Sequence, residues 1–213
     1  MKLGSEGVVQ DLLLSIQGCD IHNVFHAATR TLPSMVLEVG CGSGKLGLHY
    51  ANKGSRVIMI DPDPDMREYA GNLRDALQSL ARASWSEVQI MADVRDGDAR
   101  DLRPMKDASF DFVFNEGLIE HWSHEDQLRI LREMSRVSSK WVALIFPDAS
   151  VKENWEVHAH IDSNYHGLGD RHEEPLGPDH WRRLFHEAGL RIVAESPVMR
   201  RMMAVVAVKN GAV

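Results

Sequence analysis

From Met35 onward, short apolar runs alternate with stretches of helical periodicity, and this alternation is what most limits the fold. MVLEV (35–39), RVIMID (56–61), EVQIM (87–91), FDFVFN (110–115) and WVALIF (141–146) read as strands, near-continuous in apolar residues and too short to be helices. Strands buried on both faces belong to parallel sheets, and parallel neighbours need crossovers, which the intervening helical stretches supply. Right-handed crossovers then predict a doubly wound α/β fold with helices on both faces and a ligand crevice at the carboxyl ends of the strands. LRIVAE (190–195) and MMAVVAV (202–208) have no helix between them. They must pair antiparallel, so one edge strand should run against a seven-stranded, mainly parallel sheet.

Local signals punctuate this pattern. Lys45 to Asn52 reads as a helix stopped by Gly54. Asp63 as N-cap and Pro64 at the first helical position open a helix with Met66, Tyr69, Ala70, Leu73, Leu77 and Leu80 on one face. Ser123 caps a helix carrying Leu128, Leu131 and Met134, and PDHWRRLFHEAG (178–189) is a further helix with a C-terminal glycine. Ahead of the strands, Val8, Val9, Leu12, Leu13 and Ile16, then Ile21, Val24, Phe25 and Ala28, recur at helical spacing. They predict a short helical cap over residues 1–32 on a single domain spanning 1–213.

Composition narrows the function. The net charge is −7, which counts against a polynucleotide substrate, since a cationic face would have to be assembled against the overall field. Cys19 and Cys41 are too few for a disulfide framework, and a reducing, cytoplasmic setting follows. The first twenty residues have acidic breaks and no long apolar run, so neither a signal peptide nor a membrane span is expected.

The strongest local motif is VLEVGCGSGKLG (36–47). Glycines at 40, 42 and 44 allow a sharp strand-to-helix turn in which backbone comes against a ligand. A phosphate-gripping GxxxxGK[ST] loop fails, because Val39 and Leu46 stand at the glycine and hydroxyl positions. A dinucleotide GxGxxG occurs as Gly42, Gly44 and Gly47, but the turn already begins at Gly40, and the acidic Glu38 suits a cationic amine better than a pyrophosphate. Asp61, at the end of the second strand, is placed to accept both hydroxyls of a ribose.

The ExGxGxG loop, together with GDARDL (97–102) and SFDFVFNEGLIEHW (109–122), resembles the class I S-adenosylmethionine-dependent methyltransferases, in particular their small-molecule, type 11-like domains. The resemblance runs from about Met35 to the last strand and implies the same Rossmann-like sheet. It implies S-adenosylmethionine as cofactor, lined by Glu38, Gly40, Cys41, Gly42, Gly44, Asp61 and Pro62, with Asp61 at the ribose. Asp98 would hold the adenine amino group with Ala99 beside it, Asp93 being a rival, and Asn115 would face the methionine end.

The reaction implied is methyl transfer to an O, N or C nucleophile of a small molecule, driven by alignment and helped by a base where the acceptor is neutral. His121 is the first candidate base and Glu116 the second; a packing histidine is the competing account of His121. No NPPY-type sequence, as expected for methylation of base amines, is present; Asn115-Glu116-Gly117-Leu118 stands in its place. Residues 151–177 are expected to form an acceptor or lid segment, with the acceptor pocket between it and the N-terminal helices. His158, His160, His166 and His172 lie there among carboxylates but match no structural zinc spacing, so no metal is assigned; Trp155 and Tyr165 are available for stacking. The alternatives are a non-catalytic partner subunit that binds the same cofactor and a nicotinamide-dinucleotide oxidoreductase.

Overall fold

The apolar runs assemble into one sheet in a computed structural model that describes residues 5–18, 20–84, 87–150, 177–198 and 202–209. Its elements, in chain order, are α1 (Ser5–Gln17), α2 (Asp20–Thr29), β1 (Met35–Val39), α3 (Lys45–Asn52), β2 (Arg56–Ile60) and α4 (Pro64–Ala83). Next come β3 (Ala92–Arg95), β4 (Phe110–Glu116), a 3-10 turn (Ile119–His121) and α5 (His124–Val137). β5 (Ser138–Pro147), α6 (Pro178–Glu187), β6 (Leu190–Val198) and β7 (Met202–Lys209) complete the set.

The seven strands lie in the order β3-β2-β1-β4-β5-β7-β6. β1 pairs parallel with β2 on one side and β4 on the other, so the winding reverses there and a crevice opens at the carboxyl ends of these two strands. Alternation along β1 and β4 sorts side chains between the two faces. Val36, Phe112 and Phe114 join α2, α3 and α4 in one core. Leu37, Val39 and Val113 join α5 and α6 in the other. The predicted caps form as hydrogen bonds: Asp63 accepts from the Asp65 amide and Ser123 from the Asp126 amide.

Three expectations are corrected. The third strand is Ala92–Arg95 and not 87–91. The Gln78 side chain in α4 accepts from the Ile90 amide and donates to the Val88 carbonyl, so this apolar run is stitched to a helix, and pairing with β2 begins only at Ala92. The reversed strand is β7, as expected, but it sits between β5 and β6, which leaves β6 at the edge. Along α4 the buried row runs Ala70, Leu73, Leu77, Ala81, and Leu80 is left exposed.

The N-terminal helices differ from each other. α2 is part of the sheet's cover: Phe25 is buried and stacks on Phe112 of β4 with ring centroids 3.7 Å apart. α1 lies toward the crevice end, where Ser15 Oγ donates to the Lys45 carbonyl and the Tyr69 hydroxyl donates to Asp11. Because α2 belongs to the core, Phe25→Ala should destabilise the fold by about 3–5 kcal/mol, read by urea denaturation. A loss under ~1 kcal/mol would place α2 outside the cooperative core.

Candidate active site

At the end of β1 the chain turns through Gly40, Gly42 and Gly44, with φ of 64°, 51° and 73°. These are left-handed conformations that cost an L side chain roughly 1–2 kcal/mol each. A Cβ on Gly42 would meet nothing within 4 Å, so the loop presents bare backbone to open space. One turn on, the Gly47 amide donates to Glu38 at 3.0 Å, and a Cβ at Gly47 would lie 2.5 Å from that carboxylate oxygen. Glycine is needed there so that α3 can sit directly on β1.

Asp61 follows β2 and is buried, with both carboxylate oxygens held. One accepts from the Gly42 amide and the other from the Asp63 amide, each at 2.9 Å. Arg67 in the first turn of α4 donates to the Asp61 and Pro62 carbonyls at 2.8 and 2.7 Å and pairs with Asp96. The ends of β1 and β2 are thereby locked together. Each oxygen of Asp61 keeps capacity to accept a further hydrogen bond.

Beside this junction lies a narrow, partly open cleft of about 30 Å³ lined by Gly40, Pro62, Asp98, Ala99, Arg100, Leu118 and Trp122. Asp98 is therefore at the crevice. Asp93 is not: it lies within β3 in register with Ile58, paired to Arg95 at 2.7 Å. The Asp98 carboxyl is gripped by the Arg100 guanidinium at 2.8 Å, which holds it below the usual carboxylate range. Arg100 in turn lies 4.3 Å from the centre of the Trp122 ring.

On the far side of the loop is a half-buried charge cluster. Lys45, the first residue of α3, pairs with Glu116 at 3.0 Å and lies close to Glu38 and Asp11. Burial works against the Lys45 ammonium, but Glu116 and Glu38 outweigh it and raise its pKa. Burial pushes the Glu38 carboxyl up to about 8, helped by Glu116 and Asp61 and opposed by Lys45. The Cys41 thiol, buried beside Glu38 and Asp61, is pushed up as well, so it is held as an inert thiol.

Strand alternation separates the remaining candidates. Glu116 lies on the α3 face with Lys45, whereas Asn115 is buried on the α5 face, its amide 3.5 Å from the Met134 sulfur. Asn115 is fully buried and does not line the open cleft. His121 ends the 3-10 turn, half-buried, with Nε2 3.1 Å from the Gly117 carbonyl. Residues 151–176, with their four histidines, Trp155 and Tyr165, lie outside the described residues. Among the described residues no group of three His, Cys, Asp or Glu is arranged to hold a metal ion, and no helix is long and apolar enough to cross a membrane.

Sequence reasoning missed Lys45, Arg67, Arg100, Leu118 and Trp122. Two carried a usable signal: Lys45 directly follows the last loop glycine, and Arg100 stands two residues after Asp98. Trp122 meets Arg100 only through a tertiary contact, and Arg67 reaches Asp96 the same way.

The model of a family described as "Methyltransferase domain" matches residues 37–146, just over half of the chain. The chain is 35% identical over 114 residues to ajmaline N-methyltransferase of Rauvolfia serpentina, a match covering 53% of this chain and 35% of that protein. It thus spans about a third of the length of that curated relative. Magnesium protoporphyrin IX methyltransferase from Synechocystis PCC 6803, solved with bound S-adenosylhomocysteine, has TM-score 0.67 at 18% identity, covering 98% of this chain and 89% of that one. A methyltransferase structure from Methanosarcina mazei has TM-score 0.66 at 18% identity, covering 89% and 96%. The chain belongs to the methyltransferase domain family, among the class I S-adenosylmethionine-dependent methyltransferases.

The site fits S-adenosylmethionine chemically. Bare backbone at Gly42 leaves room for a ligand, Asp61 offers two acceptors to a diol, and the apolar walls at Pro62, Ala99 and Leu118 suit a flat base with Asp98 at its rim.

The raised Glu38 pKa has a consequence for stability. The native state keeps a proton that the unfolded chain releases above its ordinary value of 4.5. The associated stability is complete below pH 4.5 and is lost as pH rises through about 8. The stability of wild type relative to Glu38→Gln should therefore fall steadily across that window in denaturant titrations. A difference independent of pH would mean that Glu38 is ionised throughout.

Proposed function

We propose that this chain transfers the methyl group of S-adenosylmethionine to an O, N or C nucleophile of a small molecule. The observation that carries this reading is the Asp61 carboxylate, buried at the end of β2 and held open for a diol by the Gly42 and Asp63 amides. In this reading Asp61 binds the ribose, and Asp98 and the Ala99 main chain read the base. Arg100 must share Asp98 with it or turn aside. Glu38 and the Lys45–Glu116 pair flank the amino-acid end, where an ammonium and a carboxylate both need partners.

When bound, the sulfonium supplies an activated methyl group, and alignment of the acceptor contributes up to ~7–11 kcal/mol in favourable cases. The chain's own part is to orient the acceptor, exclude water and take up a proton where the acceptor carries one. We assign that last role to His121 in preference to Glu116, whose carboxylate is engaged by Lys45. With Nε2–H donated to the Gly117 carbonyl, the basic nitrogen of His121 is Nδ1. The net charge of −7 and the absence of an NPPY-type sequence at 115–118 favour a small molecule over nucleic acid. The ajmaline relative is named for transfer to nitrogen, which is compatible with a base-assisted step. The sparse cysteines, with Cys41 free and buried, favour a reducing cytoplasmic setting.

Calorimetric titration with S-adenosylhomocysteine should give binding that Asp61→Ala weakens by about 1–3 kcal/mol, since the ribose hydroxyls lose a charged acceptor. Binding of NADH in its place would overturn the reading. With an acceptor in hand, His121→Ala should lower the turnover rate at least ~100-fold while leaving cofactor affinity within a few-fold. A fully active variant would return His121 to a packing role.

A further inference from the structure

The cleft beside Asp98 is smaller than a nucleoside base. Its volume of about 30 Å³ holds a water or two, whereas small-molecule sites run from about 300 Å³ upward. A purine ring enters only if a wall gives way, and most of the walls are fixed. Pro62 belongs to the corner that Arg67 locks through its carbonyl, and Leu118 is pressed against Gly40. Trp122 is held from behind, where its carbonyl accepts from the Gln127 amide, whose oxygen meets His180 Nε2 at 2.7 Å. Among the described lining residues Arg100 is the one with a long charged side chain, and 31% of it is exposed.

That side chain is spread across the opening. Nη2–H donates to one Asp98 oxygen at 2.8 Å and Nε–H to the other at 3.1 Å. The second oxygen also accepts from the Arg100 main-chain amide at 2.8 Å, so the carboxylate is well occupied. The guanidinium lies 4.3 Å from the centre of the Trp122 ring. Two planes with a ring between them must stand about 7 Å apart, so no base fits between this cation and the indole. A flat group that gives N–H to Asp98 and a face to Trp122 makes the two contacts an aminopurine would make in the same place. Asp126, in the first turn of α5, is a second carboxylate acting on Arg100.

We propose that Arg100 is an intramolecular competitor for the base of the cofactor and thereby sets the cofactor's affinity. The clasp on Asp98 opens as the base enters, the guanidinium turns toward Asp126, and the amino group of the base takes its place on Asp98. This rests on the methyl-transfer reading, from which the base is taken. The clasp is weak enough for a ligand to open. A partly exposed ion pair and a partly exposed cation–π contact are each worth only a few-fold in an equilibrium.

The test titrates S-adenosylhomocysteine and adenosine into the full chain and into its Arg100→Ala variant by calorimetry. Removal of the competitor should tighten both ligands about 3–10-fold, by the same factor, because the effect is confined to the base. The gain should shrink as salt is raised to about 1 M, which screens the clasp. Arg100→Lys keeps a charge but loses the flat fork, so its affinities should fall between those of wild type and Arg100→Ala. In spectra of the ¹⁵N-labelled wild type, the Arg100 Nε–H signal should move to the position of a solvent-exposed arginine when S-adenosylhomocysteine saturates. Unchanged or weaker binding by Arg100→Ala would overturn the proposal, as would an Arg100 Nε–H signal unmoved at saturation. If Asp61→Ala still weakens binding in that case, the methyl-transfer reading stands without it. No binding of either ligand to any of the proteins would overturn both.

Discussion

The hydrogen bond from the Gly42 amide to Asp61 ties the ends of two parallel strands together, and the candidate site is arranged around it. It forms because Gly42 adopts a left-handed conformation that turns its N–H toward β2, and because β2 ends one residue before the carboxylate. The second Asp61 oxygen takes the Asp63 amide, and Asp63 in turn caps α4. One buried acid thus sets the glycine loop, the start of α4 and the orientation of its own carboxylate. Arg67 reinforces the same corner from the first turn of α4. A bridge of this kind is made largely to backbone, so it keeps its geometry before any ligand arrives.

A second acid, Glu38, governs the other side of the loop by a different balance. It secures α3 to β1 through the Gly47 amide, yet it lies in a field made unfavourable by burial and by two further carboxylates. Among the described residues Lys45 is the cation that opposes that field, and it is already paired with Glu116. The cluster therefore carries more negative than positive charge once Glu38 ionises. A cationic ligand at this end of the loop would relieve that excess. The electrostatics and the family's sulfonium cofactor point the same way.

The sequence made most of the frame legible because its signals were local. Apolar runs, the Asp63-Pro64 start and the Ser123 cap depend on neighbours within a turn, and each appears where expected. The third strand was misplaced because Val88 and Ile90 look like strand residues, while their amide and carbonyl partners come from Gln78, ten or more positions away. The position of β7 inside the sheet was hidden for a similar reason, since the connection length sets direction but not which neighbour is taken. At the site, the glycines and Asp61 could be read from spacing. The Lys45–Glu116 pair and the Arg100–Trp122 stack bring together residues from separate elements, which no spacing rule reaches. Asn115 and Glu116 are adjacent in sequence, and strand alternation sends them to opposite faces.

The account stands most directly on where the cofactor meets the chain. Backbone amide spectra of the labelled protein, recorded during titration with S-adenosylhomocysteine, report that contact residue by residue. The account predicts large shifts at Gly40 to Gly44, at Asp61 to Asp63 and at Asp98 to Arg100, with β6 and β7 unmoved. Shifts confined to other parts of the sheet, or an unchanged spectrum at saturating ligand, would contradict it.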